Sequence, residues 1–304
     1  MFCSACGSSH HSLSEHIKGD ELAIADLTQQ AKHAPKSLKG LLIARRDQLK
    51  AEANAVNLMK TALNSANQAL IDALERAHFT GVSPALLDIS REELANFILE
   101  NGLGVALEGF GSSQADILEA VLRVIQESDP SFTLDRLPSI VGIQDRTIRA
   151  VFEDVIIPDT SKALRFALSN LIYSNDFPST ADALSQQLKR STGRQLTEVR
   201  TQLGIMGRQA TSDAGEEAGL NLFYYSGPLD GLTRKFCVPL VDKVLSKRQI
   251  GQLNNKSGLG SPLRSGGGYN CRHSFSPISQ GLLQAAGMKR ATKADINEAN
   301  RGAR

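Results

Sequence analysis

KSLKGLLIARRDQLKAEANAVNLMKTALNSANQALIDALERAHF occupies residues 36–79 and contains no proline and a single glycine, near its start. Leu42, Leu49, Val56, Leu63 and Leu70 recur every seven residues, and Met59, Ala66 and Ala73 stand three residues after the last three of them. This repeat lays one apolar seam along a single long helix. At 1.5 Å per residue such a helix extends roughly 65 Å, a length that suits a spacer or an assembly arm. Alanines keep the seam narrow, and Arg45 and Glu52 occupy two seam positions near its start. Packing against another helix of the same chain and self-association as a coiled coil both satisfy the pattern.

Further helices follow with recognisable starts. Ser90 precedes Glu93, Ser113 precedes Asp116 and Ser179 precedes Asp182, each by three residues. At this spacing a hydroxyl caps one free N–H while the carboxylate reaches back to another. Helices are therefore predicted over REELANFILENG, ending at Gly102, over QADILEAVLRVIQES, ending before Pro130, and over ADALSQQLKRS. TIRAVFEDVII and SKALRFALSNLIYS carry dense apolar faces, while EGFGSSQ, SDPSF and SNDFPST read as connectors. No internal repeat or extended low-complexity tract interrupts this series, and by itself it names no chemistry.

On the N-terminal side, MFCSACGSSHHS sets Cys3 and Cys6 with two residues between them, and His10 and His11 close behind. One such pair is half of a zinc knuckle, and a closed structural site needs four ligands. Cys3, Cys6 and His10 are candidate ligands only if a distant residue supplies the fourth. The stretch has neither the basic start nor the apolar core of a secretion signal, and no run approaches the length of a membrane span. Synthesis and folding in a cytoplasm are the expectation, where four cysteines in 304 residues serve as thiols or ligands rather than as a disulfide scaffold.

The chain is long enough for two domains, and its 22% charged and 41% hydrophobic residues are ordinary for a globular protein. Its net charge of +2 hides a division, because residues 189–304 carry 18 Lys and Arg against 8 Asp and Glu. Such asymmetry steers a basic region toward nucleic acid or an acidic surface, or toward the acidic part of its own chain.

In that basic third, a helix over residues 195–219 leads into LNLFYYSG and then PLDGLTRKFC, and after a variable stretch comes GGGYNCRHSFSPIS, residues 266–279. Three consecutive glycines permit unusual backbone angles, so the cluster behind them sits on a sharply bent loop. A helix, a strand, an Asp followed by Thr-Arg-x-x-Cys, and an Asn-Cys-Arg-His return stand here in order. This arrangement resembles the C-terminal domain of the Mu F-like minor head proteins of tailed bacteriophages, also called head morphogenesis proteins. It covers roughly residues 189–280 and rests on Tyr225, Gly227, Pro228, Asp230, Thr233, Arg234 and Cys237 in one half. Asn270, Cys271, Arg272 and His273 form the other. The expected fold is mainly α. A segment over residues 1–35 carries the CxxC pair, a helical domain with one long helix spans 36–188, a small α+β domain spans 189–280, and a basic tail spans 281–304. The tail is expected to be exposed and to order only on assembly.

The residues themselves suggest how the two halves meet. Asp230 accepts backbone N–H groups and bends the turn after the strand. Arg234 and Arg272 offer forked donors that clamp that carboxylate or a backbone turn. Cys237, Cys271 and His273 are three soft ligands if the halves pair. The resemblance implies a metal site, since the family commonly carries Cys-x-x-Cys in one half and Cys-x-Cys in the other. Here Leu240 stands three residues beyond Cys237 and His273 replaces the last cysteine. A structural zinc at these three residues then needs Asp230 or an outside ligand, and a packed, metal-free polar cluster is the favoured alternative.

No enzymatic constellation emerges. Cys271 and His273 lie two residues apart, which on an extended loop turns them to opposite faces, and no acidic orienter stands nearby. GLGSPLRSGGGYN lacks phosphate-loop spacing, and the His-Glu-x-x-His metalloprotease pattern is absent. The resemblance implies a structural, non-enzymatic role in head assembly. Its expected partners are portal and capsid proteins within a symmetric assembly, with no membrane partner. The expected location is the virion head or portal vertex. Packaged DNA is a further expected partner for the basic third. The alternative readings are a DNA-binding internal virion protein and a virion-delivered effector, because Mu F-like domains also occur beside toxin modules.

Overall fold

The structure, a computed structural model, describes residues 13–80 and 90–303. The fold is mainly α with a small mixed sheet near the C-terminus. Its helices are α1 (Leu13–His33), α2 (Lys36–Thr80), α3 (Arg91–Ile98), α4 (Gly104–Gln126), α5 (Ile140–Val151), α6 (Ile157–Ser174) and α7 (Phe177–Glu217). After α7 come β1 (Leu222–Ser226), β2 (Lys243–Ser246), α8 (Lys247–Ile250), α9 (Pro262–Ser265), β3 (Ser274–Ile278), α10 (Gln280–Ala285), β4 (Lys289–Arg290) and α11 (Lys293–Gly302).

The long helix forms over 45 residues, as the seven-residue spacing requires. Leu42, Leu49, Val56, Leu63 and Leu70 are all buried within the chain, so intramolecular packing covers the seam. Arg45 and Glu52 stay in the seam as a buried pair, Nη1 to Oε1 at 3.5 Å.

Two compact units divide the described chain. One holds residues up to 53, 113–147 and 200–303; the other holds 54–112 and 148–199. This differs from a boundary between 188 and 189, because α2 and α7 each contribute residues to both units. The described residues of the second unit form helices and no strand. Phe110 meets Phe152 edge to face with centroids 5.9 Å apart, Asn67 Nδ2 donates to Thr192 Oγ1 at 3.1 Å, and His78 stacks on Phe177.

Helix starts agree in part. Ser90 and Glu93 form the complete capping box. Ser113, in contrast, lies inside α4, buried, and EGFGSSQ is helix rather than connector. Gly109 explains why: a Cβ there would fall 2.7 Å from Leu58 Cδ1, so the glycine serves close packing instead of a turn. α7 starts two residues before Ser179, and Asp176 Oδ1 accepts the Ser179 N–H at 3.2 Å, so the cap is Asp176 with Pro178 in the first turn. The break at Gly102 is present, with φ 123° inside a wide turn over Leu99–Leu103 that leads directly into α4. A second wide turn, Phe152–Ile156, joins α5 to α6.

In the first unit the strands run β3-β1-β2-β4 across the sheet. β1 is antiparallel to β2 and β3, with Tyr225 opposite both Lys243 and Phe275, and β4 is parallel to β2. Alternation sends Tyr224, Val244 and Ile278 into one core with Leu27, Leu49, Ile125 and Phe132. Phe223, Tyr225, Leu245 and Phe275 enter a second core with Phe236, Ile250 and Ile296. Residues 281–303 are not an exposed tail. Leu282 and Leu283 belong to the first core, Ile296, Ala299 and Ala303 to the second, and β4 extends the sheet. The apolar residues of this short segment recur at helical spacing, which offsets its high charge.

Candidate functional site

β1 delivers Tyr225 to the base of the second core, where the side chain is fully buried. Its OH donates to Cys237 Sγ at 3.2 Å, and its ring lies 5.5 Å from the His273 ring at an interplanar angle of 12°. The chain leaving β1 bends at Asp230. There Oδ1 accepts the Leu232 N–H at 3.0 Å and the Thr233 hydroxyl at 3.1 Å, while Thr233 Oγ1 accepts the Asp230 N–H at 3.0 Å. This turn carries the chain on to Arg234, whose Nη2 donates to Tyr269 O, and to Cys237, whose N–H donates to Arg234 O at 2.8 Å.

The second half arrives through the glycines. A Cβ on Gly267 would lie 2.6 Å from Cys237 Sγ and 3.4 Å from Cys271 Sγ, and Gly266 takes φ 57° against Cys271. The glycine run therefore exists to let backbone touch two sulfurs. Asn270 turns the chain in the left-handed region, φ 53°, and its N–H donates to Thr201 Oγ1 at 3.1 Å. Arg272 then reaches back to Asp230 with two bonds, at 2.6 and 2.5 Å, and to Gly19 O at 2.9 Å.

These turns bring Cys237, Cys271 and His273 together, all buried, with their ligand atoms within 4.8 Å of one another. The sulfurs are 3.9 Å apart, and Cys271 Sγ is 3.9 Å from His273 Nδ1. His273 Nε2 donates to Pro228 O at 2.9 Å, which leaves Nδ1 facing the sulfur. The loop curls, so Cys271 and His273 share a side instead of pointing to opposite faces; the left-handed Asn270 and the glycines before it make that bend.

The two thiols are shifted in opposite directions. The hydrogen bond from Cys237, followed by His273 and Arg208, holds the Cys271 thiol well below its ordinary range against the opposing effect of burial. The same bond, together with burial, pushes the Cys237 thiol up. Cys271 Sγ also accepts the Gly267 N–H at 3.0 Å. Burial and then the neighbouring cysteines push the Tyr225 phenol up, keeping its OH a donor.

Two arginines outside the motif hold the loop. Arg208 of α7 donates from Nε to Arg264 O at 2.7 Å and from Nη1 to Cys271 O and His273 O at 3.2 and 3.3 Å. Arg45 of α2 donates to Arg272 O at 2.6 Å. Neither is exposed, and both interrupt apolar helix faces. A basic residue in an apolar seam is the signal that marks Arg45; Arg208, inside GIMGRQA, offers the same signal on α7.

The cluster meets the geometry of a zinc site only in part. Two sulfurs 3.9 Å apart approach the ~3.8 Å edge of a tetrahedron with Zn–S near 2.3 Å. The set stops at three, however, among the described residues, because Asp230 is turned to Arg272. A closed structural site takes four protein ligands, so the described residues do not complete one. Cys3, Cys6 and His10 lie outside the described residues.

Every motif residue, Tyr225, Asp230, Thr233, Arg234, Cys237, Asn270, Cys271, Arg272 and His273, therefore contributes to one contiguous hydrogen-bonded unit. Comparison with protein-family models, with curated proteins and with solved structures returned no match for this chain.

Proposed function

We propose that the chain is a Mu F-like minor head protein of a tailed bacteriophage, a structural component that acts in head assembly through contacts with portal and capsid proteins. One observation carries the reading: the two motif halves meet, with Arg272 clamped on Asp230 and Cys271 packed on Cys237, although 34 residues separate the two cysteines. The resemblance depends on that closure.

A structural, non-catalytic role accords with the burial of the cluster. Cys237 and Cys271 are 1% and 5% exposed, which leaves a substrate no approach to either sulfur. On this reading the cluster is a metal-free rivet that closes the C-terminal module, and no cofactor takes part. The helical second unit supplies protein contacts, and its Phe79, Val105 and Tyr173 are 78%, 75% and 86% exposed. Large apolar side chains held in water are suited to a partner surface. The proposed location is the virion, at the head or portal vertex, in a symmetric assembly built in the host cytoplasm. No described helix is long and apolar enough to cross a membrane.

The test is co-expression with the portal protein of the same phage, followed by capture and by quantitative mass spectrometry of purified particles. A stable complex and a fixed copy number matching a symmetry axis are expected. Absence from particles together with no capture by portal or capsid protein overturns the reading.

A further inference from the structure

Five exposed cations of the C-terminal third gather on and beside one edge of the sheet. Residues 241–303 carry ten Lys and Arg against three Asp and Glu. Lys289 and Arg290 make up β4, the edge strand, and both are exposed. Adjacent strand residues project to opposite faces, so the two cations flank the edge. β2 and β4 run parallel, and the segments that follow them emerge at the same end. Lys247 and Arg248 open α8 there, Lys293 opens α11, and Gln249 Nε2 ties the two together through Ala291 O at 2.9 Å.

Few carboxylates offset these cations. Asp295 is bonded to Lys243 and to the Thr292 cap, and Glu216 faces Lys247 at 3.1 Å. Asp242, just before β2, accepts from the Tyr224 hydroxyl at 2.7 Å, and Glu298 on α11 remains. Protection of a sheet edge accounts for charge on β4, but it does not call for Arg248 or Lys293 beside it.

The neighbouring composition says what kind of partner fits. There is no aromatic residue in 241–268 or in 276–304. Among the described residues of 239–268 and 270–303, no large apolar side chain is exposed. Without aromatics the edge has no platform on which unpaired bases stack. Without an apolar anchor it has neither the buried centre of a protein interface nor the wedge of a membrane-surface helix. A partner bound by charge alone must carry dense, regular negative charge, and duplex DNA presents one per ~1.7 Å of axis.

We propose that this edge, through Lys247, Arg248, Lys289, Arg290 and Lys293, binds the phosphate backbone of duplex DNA without reading its sequence. Five neutralised phosphates give a slope of log affinity against log salt near −4.5, or about a 500-fold loss between ~50 and ~200 mM salt. The experiment is fluorescence anisotropy of the full chain with a labelled duplex of arbitrary sequence, with a single strand of equal length and polyglutamate as parallel probes.

The variant carrying Lys289→Ala, Arg290→Ala and Lys293→Ala retains two of the five contacts, so its loss over the same range shrinks to about 12-fold. Circular dichroism confirms that it folds, and Lys289→Arg with Lys293→Arg restores the steep slope. No binding of duplex at low salt overturns the proposal. So does an unchanged slope in the triple alanine variant, or tighter binding to the single strand or to polyglutamate. None of these outcomes depends on capture by portal protein, so the two readings fail separately.

Discussion

Arg272 grips Asp230 through both terminal nitrogens, at 2.6 and 2.5 Å, and the same guanidinium donates to Gly19 O at 2.9 Å. One side chain thereby joins the two motif halves to α1. Arg272 is 4% exposed and Asp230 27%, so the pair is screened on one side only. Arg272→Met leaves the carboxylate and a carbonyl without their donor, and the expected loss is about 3 kcal/mol, the lower end for breaking a buried pair. Urea unfolding checks it; a loss below about 1 kcal/mol means the clamp is incidental.

The same contact sets a pH dependence. Partial burial would raise the Asp230 carboxyl, but Arg272 and the Leu232 and Thr233 donors outweigh it and hold the group below its ordinary range. A depressed carboxyl contributes stability that is present above the unfolded value, ~3.9, and is lost as pH falls through the folded one. Urea midpoints measured downward from pH 6 should therefore drop more steeply below about pH 4 in the natural chain than in Asp230→Asn. Parallel profiles would remove Asp230 from the account.

Gly267 and Gly231 offer a controlled comparison, since neither has a positive φ. A Cβ at Gly267 meets Cys237 Sγ at 2.6 Å, whereas at Gly231 it meets nothing within 4 Å. Gly267→Ala is expected to cost about 2 kcal/mol through overpacking, and Gly231→Ala to stay within about 0.5 kcal/mol. Thermal melting of the two variants distinguishes a sulfur-packed loop from one that merely bends; equal midpoints would contradict the packing.

How much of this could be read from residues alone differs from element to element. The seam from Leu42 to Leu70 was legible because a seven-residue repeat has one helical interpretation. The Ser90 cap was legible too, since its partners are local in sequence. Ser113 misled because the same local pattern occurs in a helix interior, where a glycine at 109 serves packing against Leu58. The motif residues were legible as a set, yet not their curl, which depends on the left-handed Asn270. Arg208 was legible only as a basic residue on an apolar helix face; its partners, the carbonyls of residues 264, 271 and 273, were not, because only the tertiary fold brings them to α7.

The second unit makes a functional prediction. Phe79 and Tyr173 are 78% and 86% exposed, so replacing both with serine removes little packing from the folded chain beyond the tilted contact of Phe79 with His78, centroids 5.5 Å apart. Melting should shift by less than about 0.5 kcal/mol in equivalent stability. If these rings meet the portal or capsid partner, capture weakens by roughly tenfold or more, the scale of an aromatic anchor. Unchanged capture in Phe79→Ser with Tyr173→Ser would place the contact elsewhere.

The cluster itself decides between rivet and metal centre. Cys237 and Cys271 already have hydrogen-bond partners in Tyr225 OH, the Gly267 N–H and each other, and His273 faces Cys271 while its far nitrogen is bound to Pro228 O. The fourth corner of a tetrahedron has no His, Cys, Asp or Glu among the described residues. Purified chain is therefore expected to carry well under one zinc per molecule by plasma mass spectrometry, and a strong chelator should leave its melting midpoint in place. Cys237→Ser should lower stability by about 1–3 kcal/mol, because it disturbs a buried sulfur pair and its donors. The opposite result, one zinc per chain and a midpoint that falls on chelation, would show that a ligand outside the described residues completes the site. Repeating the measurement on Cys3→Ser with Cys6→Ser then tells whether the N-terminal pair supplies it: zinc lost with that pair identifies it as the missing corner, and zinc retained excludes it.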